Sequence, residues 1–265
     1  MKNIKVDNLA VFGCSFTSSQ ESNNPVVEFS LVETGHTFGD IISNHYGWKF
    51  HECGIPGSSN SYIGNKFYDF FGENQNLIDN TFVIIGWSEI HRLLFWNNKF
   101  DRWMNVVNLS DDYGIDEYSY NGEFLNWTPN FGKYLINSWS DKERKKYTQN
   151  FLLNNFQAIN IWLNQVLGIQ SFCKVNKIPY YMFNSFYNFD YINEDGHGNN
   201  VGKGSKNRML WNMVDKKFFS LESFSKLIDS NEKEYRISSE DAHPNKLCHK
   251  LWGEKLIKWI EKAYV

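Results

Sequence analysis

The chain has 265 residues, 42% hydrophobic and 22% charged, with a net charge of -3. That length and balance suit a single large globular domain and exclude a disordered chain. A pI of about 6.2 with no long basic run leaves no electrostatic footprint for nucleic acid. No apolar run approaches a membrane span, and the first eight residues are too polar for a signal-peptide core, so the expected location is cytoplasmic.

In chain order, Leu9-Ala10-Val11-Phe12 is a short apolar run that reads as a buried first strand. Gly13 ends it, and Ser15 follows two residues later. Residues 37–45 read as a helix with Phe38, Ile41, Ile42 and Tyr46 on one face and Gly47 as its C-cap. Residues 48–53 alternate as a second strand. The loop Gly54-Ile55-Pro56-Gly57-Ser58-Ser59-Asn60 leads into a helix over about 61–71. Residues 81–85 are continuously apolar, as a central parallel strand buried on both faces should be.

Residues 91–147 are the least regular part, with Trp96, Trp103, Tyr113, Tyr118, Tyr120, Trp127 and Trp139 scattered among Asn, Asp and Ser. They read as an insertion over the sheet ends rather than a second domain. The cluster at 142–146 reads as a solvated helix start. Residues 149–175 carry a long helical repeat that Gly168 would kink or loosen. Residues 178–183 form another buried strand, and about 187–218 a loop insertion. A short helix is expected at 220–228. The last helix starts near Asn245, a good N-cap, with Leu247, Leu251, Leu256, Trp259, Ile260 and Ala263 facing inward. Strands alternating with helices predict a three-layer α/β/α sandwich around a mainly parallel, flavodoxin-like sheet.

The four cysteines, Cys14, Cys53, Cys173 and Cys248, match no metal pattern. Cys14 and Cys53 fall near strand ends and would be neighbours, but free buried thiols are the expectation. Asp195-Gly196-His197 lacks further ligands at a recognisable spacing. No metal and no cofactor are expected.

In an open α/β sheet, ligands sit beyond the carboxyl ends of the strands. Ser15 lies there and is the candidate nucleophile. A serine hydroxyl needs a base, the base needs an orienting carboxylate, and the developing oxyanion needs donors placed beforehand. His243 is the candidate base. Asp241 is the favoured carboxylate, with Glu240 as competitor, because residues two apart share a face in extended backbone while a turn reverses that preference. Gly57 lets backbone approach a ligand, and Pro56-Gly57 also suits a type II turn. Ser88 ends the third strand, where its hydroxyl would add a third oxyanion donor to the N–H groups of Ser15 and Gly57. Trp87 and Asn60 are candidate substrate-binding residues, while His91 and Arg92 follow the same strand and are weaker candidates for the cleft wall. His249 reads as structural.

Gly13-Cys14-Ser15-Phe16-Thr17, Gly54-Ile55-Pro56-Gly57, Gly86-Trp87-Ser88 and Asp241-Ala242-His243-Pro244 resemble, in order, the four sequence blocks of the SGNH (GDSL-like) hydrolases. The resemblance implies a flavodoxin-like fold, esterase, lipase, thioesterase or carbohydrate O-acetylesterase activity, and a metal-free triad of Ser15, Asp241 and His243. It also implies Ser15 and Gly57 as backbone oxyanion donors. Cys14 stands where the family name has Asp. Ser88 stands where the family usually carries an Asn that donates to the oxyanion, and Asn60 is a possible substitute. The expected activity is hydrolysis of an acyl ester, with an O-acetyl carbohydrate suggested by the aromatic, Asn-rich insertion. The alternatives are a catalytically weak or inactive glycan-binding module on the same fold, and a lipase or thioesterase.

Overall fold

The computed structural model describes residues 5–19, 32–90, 92–97, 102–107, 116–119, 124–125, 155–186, 206–239 and 241–264. Its central sheet has four strands: β1 (Asn8–Phe12), β2 (Lys49–Glu52), β3 (Thr81–Trp87) and β8 (Tyr180–Asn184). The order is β2-β1-β3-β8, and every pair is parallel. All strands therefore deliver their carboxyl ends to one edge. Phe12 is in register with Ile85, and Trp87 with Asn184.

Side chains alternate across each strand and divide the core into two layers. Ala10, Phe12, Val83, Ile85, Trp87, Tyr180 and Met182 face one side. There they meet α2 (Asn60–Glu73), α3 (Asn155–Val175) and α4 (Lys206–Met213), through residues such as Ile63, Phe67, Trp162, Val166 and Trp211. Leu9, Val11, Phe82, Ile84, Tyr181 and Phe183 face the other side. There they meet α1 (Phe38–Tyr46), α5 (Phe224–Ser230) and α7 (Lys246–Tyr264). A four-residue helix, α6 (Glu232–Tyr235), connects α5 to the segment before α7. The three-layer α/β/α arrangement is the one the alternation of strands and helices predicts.

Local chemistry sets the helix limits. Thr37 and Asp40 form a capping box at the start of α1, and Gly47 closes it at φ +73, a left-handed conformation that favours glycine. Ser59 caps α2 by accepting from the N–H of Tyr62. Asn245 Oδ1 accepts from the N–H of Cys248 at 3.0 Å at the start of α7. α3 runs through Gly168 without a break. No helix among the described residues is long and apolar enough to cross a membrane.

Three expectations change. Within 91–147 the chain forms an antiparallel sheet ordered β4-β5-β6-β7 (Leu93–Asn97, Arg102–Val107, Asp116–Ser119, Phe124–Leu125). Its strands are rich in aromatic and β-branched residues, a signal that the surrounding Asn, Asp and Ser obscure. Residues 206–218, expected as loop, hold α4 and a short 3-10 turn (Lys216–Phe218), and Trp211 and Val214 seal the sheet face there. The buried stripe of α7 runs through Cys248, Trp252, Leu256, Ile260 and Ala263: the last three face inward as expected, while the first turns are offset by one residue and leave Leu247 exposed. The basic cluster at 142–146 and the 195–197 motif lie outside the described residues.

Candidate active site

The site begins with a packing device at the end of β1. Residues Ser15–Thr17 form a single 3-10 turn. The Thr17 hydroxyl and its backbone N–H both donate to the carbonyl of Cys14, at 2.8 and 2.9 Å, and the Ser18 hydroxyl donates to the same oxygen at 3.0 Å. Thr17 sits among three glycines from three strand ends. A Cβ added at Gly13, Gly54 or Gly86 would stand 2.4, 2.3 or 2.8 Å from its side chain. Only glycine permits that approach, and the result is a rigid turn with Ser15 at its first position. Farther along, the Ser19 hydroxyl and N–H donate to the Glu52 carboxylate at the end of β2. Burial raises the Glu52 carboxyl above its usual range, against those two hydrogen bonds.

The other half of the site comes from the opposite end of the chain. The segment before α7 is tied to the end of α6. Pro244 bridges Arg236, the N–H of Ile237 donates to the His243 carbonyl at 2.9 Å, and the Asn245 amide donates to the carbonyls of Glu234 and Arg236. This brace brings the His243 ring over the first strand end, 5.7 Å from the Phe16 ring between centroids.

His243 Nε2 lies 2.9 Å from Ser15 Oγ, and His243 Nδ1 lies 2.6 Å from Asp241 Oδ1. The same carboxylate oxygen accepts the backbone N–H of His243 at 3.0 Å, which holds the two residues in a local turn. An ionised carboxylate only accepts, so Nδ1 carries the proton and Nε2 is left to accept from the Ser15 hydroxyl. Ser15 is 6% exposed, and the side chains of His243 and Asp241 are 16% and 19% exposed. The three groups are thus largely withdrawn from bulk water. The competitor Glu240 lies outside the described residues.

His249 lies one turn into α7, fully buried, with its ring stacked on Phe38 and Nδ1 accepting the Phe38 N–H at 3.3 Å. Burial, then the neighbouring His243, pull it down to about 3. It stays neutral and adds no positive charge beside His243.

Gly57 has φ +76 and occupies the third position of a turn closed by the N–H of Ser58 on the carbonyl of Ile55, at 3.2 Å. That geometry fits a type II Pro-Gly turn. The two turns are closed by Thr17 N and Ser58 N, not by the N–H groups of Ser15 and Gly57.

Ser88 follows β3 directly and is buried. Asn60, at the start of α2, grips it on both sides: its Oδ1 accepts the N–H of Ser88 at 2.7 Å, and its Nδ2 donates to the Ser88 carbonyl at 3.2 Å. The Asn60 amide is therefore committed to backbone in this structure. Trp87 is a correction. The period of β3 turns its ring to the same side as Val83 and Ile85, where it is fully buried under α2 and α3. Two residues gain importance over the sequence reading. Thr17 has a signal only in hindsight, as the residue that fills three glycine gaps. Arg92 Nη1 donates to Ser88 Oγ at 3.1 Å. His91 lies outside the described residues.

Among the described residues no three His, Cys, Asp or Glu side chains group as a metal site. All four cysteines are free. Cys14 packs on the α7 face and Cys53 on the α2 face, so the sheet separates them. Burial pushes the Cys53 thiol up to about 12, which leaves it a poor nucleophile.

No family model and no curated protein sequence matches the chain. Among solved structures it is similar to a protein assigned to the lipolytic G-D-S-L family from Desulfitobacterium hafniense, at 12% identity and a TM-score of 0.47, over 96% of this chain and 99% of the other. It is also similar to the acetylxylan esterase of Geobacillus stearothermophilus, at 11% identity and a TM-score of 0.45, over 98% and 96% of the two chains. A third similar structure is the acetyl xylan esterase AlAXEase, at 11% identity and a TM-score of 0.40, over 95% and 98%.

Proposed function

We propose that this protein is a serine ester hydrolase in which Ser15, His243 and Asp241 form a proton relay. The observation that carries the reading is the unbroken pair of contacts, Ser15 Oγ to His243 Nε2 at 2.9 Å and His243 Nδ1 to Asp241 Oδ1 at 2.6 Å. Ser15 Oγ attacks the ester carbonyl carbon while its proton passes to Nε2. Asp241 holds the ring with Nδ1 protonated and offsets the imidazolium charge. The carbonyl electron pair collects on the oxygen, which the N–H groups of Ser15 and Gly57 receive. On collapse the bond to the alkoxy group breaks, and the proton on Nε2 moves to the departing alcohol. A water then attacks the acyl-Ser15 ester by the same steps, releasing the acid.

The substrate we favour is an acyl ester on a carbohydrate, with acetate as the acyl group. The aromatic and amide side chains of residues 91–147 suit the C–H faces and hydroxyls of sugar rings. A fluorophosphonate probe should label the wild type and spare Ser15→Ala; equal labelling of both would remove Ser15 from the role. Acetylated sugars should turn over faster than long-chain acyl esters. The reverse order would favour a lipase or thioesterase, and glycan binding with no turnover would favour a binding module.

A further inference from the structure

Among the described residues, Arg92 has a placement near this edge that the relay leaves unexplained. Its guanidinium is largely withdrawn from water, with 13% of the side chain exposed. Glu89 Oε2 stands 3.9 Å from Nε, a long ion pair beyond hydrogen-bond distance, and among the described residues the buried Nε has no hydrogen-bond partner. A buried cation is costly unless it has partners. The contacts it does make lead toward the relay. Nη1 donates to Ser88 Oγ at 3.1 Å. The guanidinium carbon lies 5.0 Å over the Phe186 ring, Phe186 packs 4.5 Å from Phe16, and Phe16 packs 5.7 Å from His243.

Ser88 is placed to use that charge. Phe12 and Ile85 are in register on adjacent parallel strands, and Ser15 and Ser88 each come three residues later, past the carboxyl ends of those strands. The Asn60 amide pins the Ser88 backbone, so its hydroxyl is held at the edge. A serine hydroxyl has one proton to donate and two lone pairs to accept with. Arg92 occupies a lone pair and leaves the proton. A hydroxyl that accepts from a cation is polarised and becomes a stronger donor.

We propose that Arg92 is a positioning residue that polarises the Ser88 hydroxyl, the side-chain oxyanion donor expected from the sequence. This rests on the hydrolase reading above and deepens it: the charge that a carboxamide would not carry is brought in from Arg92, one step removed. A second role follows from the same geometry. The arrangement favours the charge that develops on oxygen in the transition state over the neutral ester, so it acts on turnover rather than on substrate affinity.

The test measures the rate at which a fluorophosphonate modifies Ser15. In that step the Oγ–P bond forms, the P–F bond breaks, fluoride leaves and the Ser15 proton goes to His243, while the phosphoryl oxygen takes the oxyanion position. The proteins are wild type, Arg92→Ala, Ser88→Ala and the double variant, with folding followed by thermal melting. We expect Ser88→Ala to slow labelling by about 10²-fold, the scale of one lost oxyanion donor, and Arg92→Ala by about tenfold or more. The double variant should be no slower than Ser88→Ala, because Arg92 acts through that hydroxyl. Added guanidinium ion should restore part of the Arg92→Ala rate and none of the Ser88→Ala rate. With p-nitrophenyl acetate, kcat should fall while KM holds. Losses that multiply in the double variant overturn the proposal, as does labelling of Arg92→Ala at the wild-type rate; in both cases the hydrolase reading stands. If Arg92→Ala does not fold, Ser88→Ala decides alone, and an unchanged rate overturns the proposal. A wild type that takes no label at Ser15 removes both readings together.

Discussion

Replacing Asp241 by Asn tests the relay at its most charge-dependent point. The amide keeps the shape and one acceptor oxygen, so the hydrogen bond to the His243 backbone N–H, 3.0 Å in the wild type, can survive. What is lost is the negative charge beside Nδ1, now 2.6 Å from the carboxylate oxygen. Both side chains are less than a fifth exposed, so an effective dielectric of about 20 suits the pair, and at a charge separation of about 4 Å the attraction is about 4 kcal/mol. That attraction exists only once the imidazolium forms, so it belongs to the transition state. At about 1.4 kcal/mol per factor of ten, kcat/KM should fall by about 10³. Turned over, the amide would give up that backbone bond and offer an N–H to Nδ1, which would favour the tautomer that cannot take the Ser15 proton. Initial rates on p-nitrophenyl acetate, with circular dichroism to confirm folding, measure the effect. Glu240→Gln is the control and should stay within about threefold. A loss under tenfold in Asp241→Asn would refute the reasoning, since the carboxylate charge would then contribute nothing beyond shape.

Three other outcomes are expected. Gly13→Ala places a Cβ 2.7 Å from the Gly86 carbonyl oxygen and 2.4 Å from Thr17; backbone cannot yield cheaply, so the variant should lose about 1–3 kcal/mol in urea unfolding and label more slowly at Ser15. Asn60→Leu strands the N–H of Ser88 without its 2.7 Å acceptor and should cost about 1–3 kcal/mol, with a lower kcat as the end of β3 loosens. His249 makes stability depend on pH: it titrates at 6.5 when unfolded and at about 3 when buried. Between those values the unfolded chain holds the extra proton, so its contribution is complete above pH 6.5 and is lost at about 1.4 kcal/mol per unit as pH falls toward 3. Urea unfolding at stepped pH should show that slope, and His249→Asn, which keeps an acceptor for the Phe38 N–H, should flatten it.

Much of this molecule was legible from residue order because its signals are local. The apolar runs of β1, β3 and β8, the Gly47 cap, the Asn245 cap and the Pro56-Gly57 turn each depend on a few adjacent residues, and so does the alternation that predicts three layers. The spacing of Asp241 and His243, two residues apart in one short segment, is equally local. Trp87 and Leu247 were misread for a different reason. Periodicity states that a face exists, but which face meets a partner depends on elements far away in the chain.

What needed tertiary structure is every relation across long sequence distances. Ser15 and His243 are 228 positions apart, and their 2.9 Å contact exists because parallel strands send all their carboxyl ends to one edge while α7 packs back across the sheet. The three glycines around Thr17 come from three separate strand ends, so no window of sequence contains the gap they leave. The bond from Arg92 to Ser88 spans only four residues, yet its meaning comes from Phe186, Phe16 and Asn60, supplied by other elements. Propensity and capping act between near neighbours along the chain; a reactive site is made by packing, which brings together groups that the covalent backbone keeps apart.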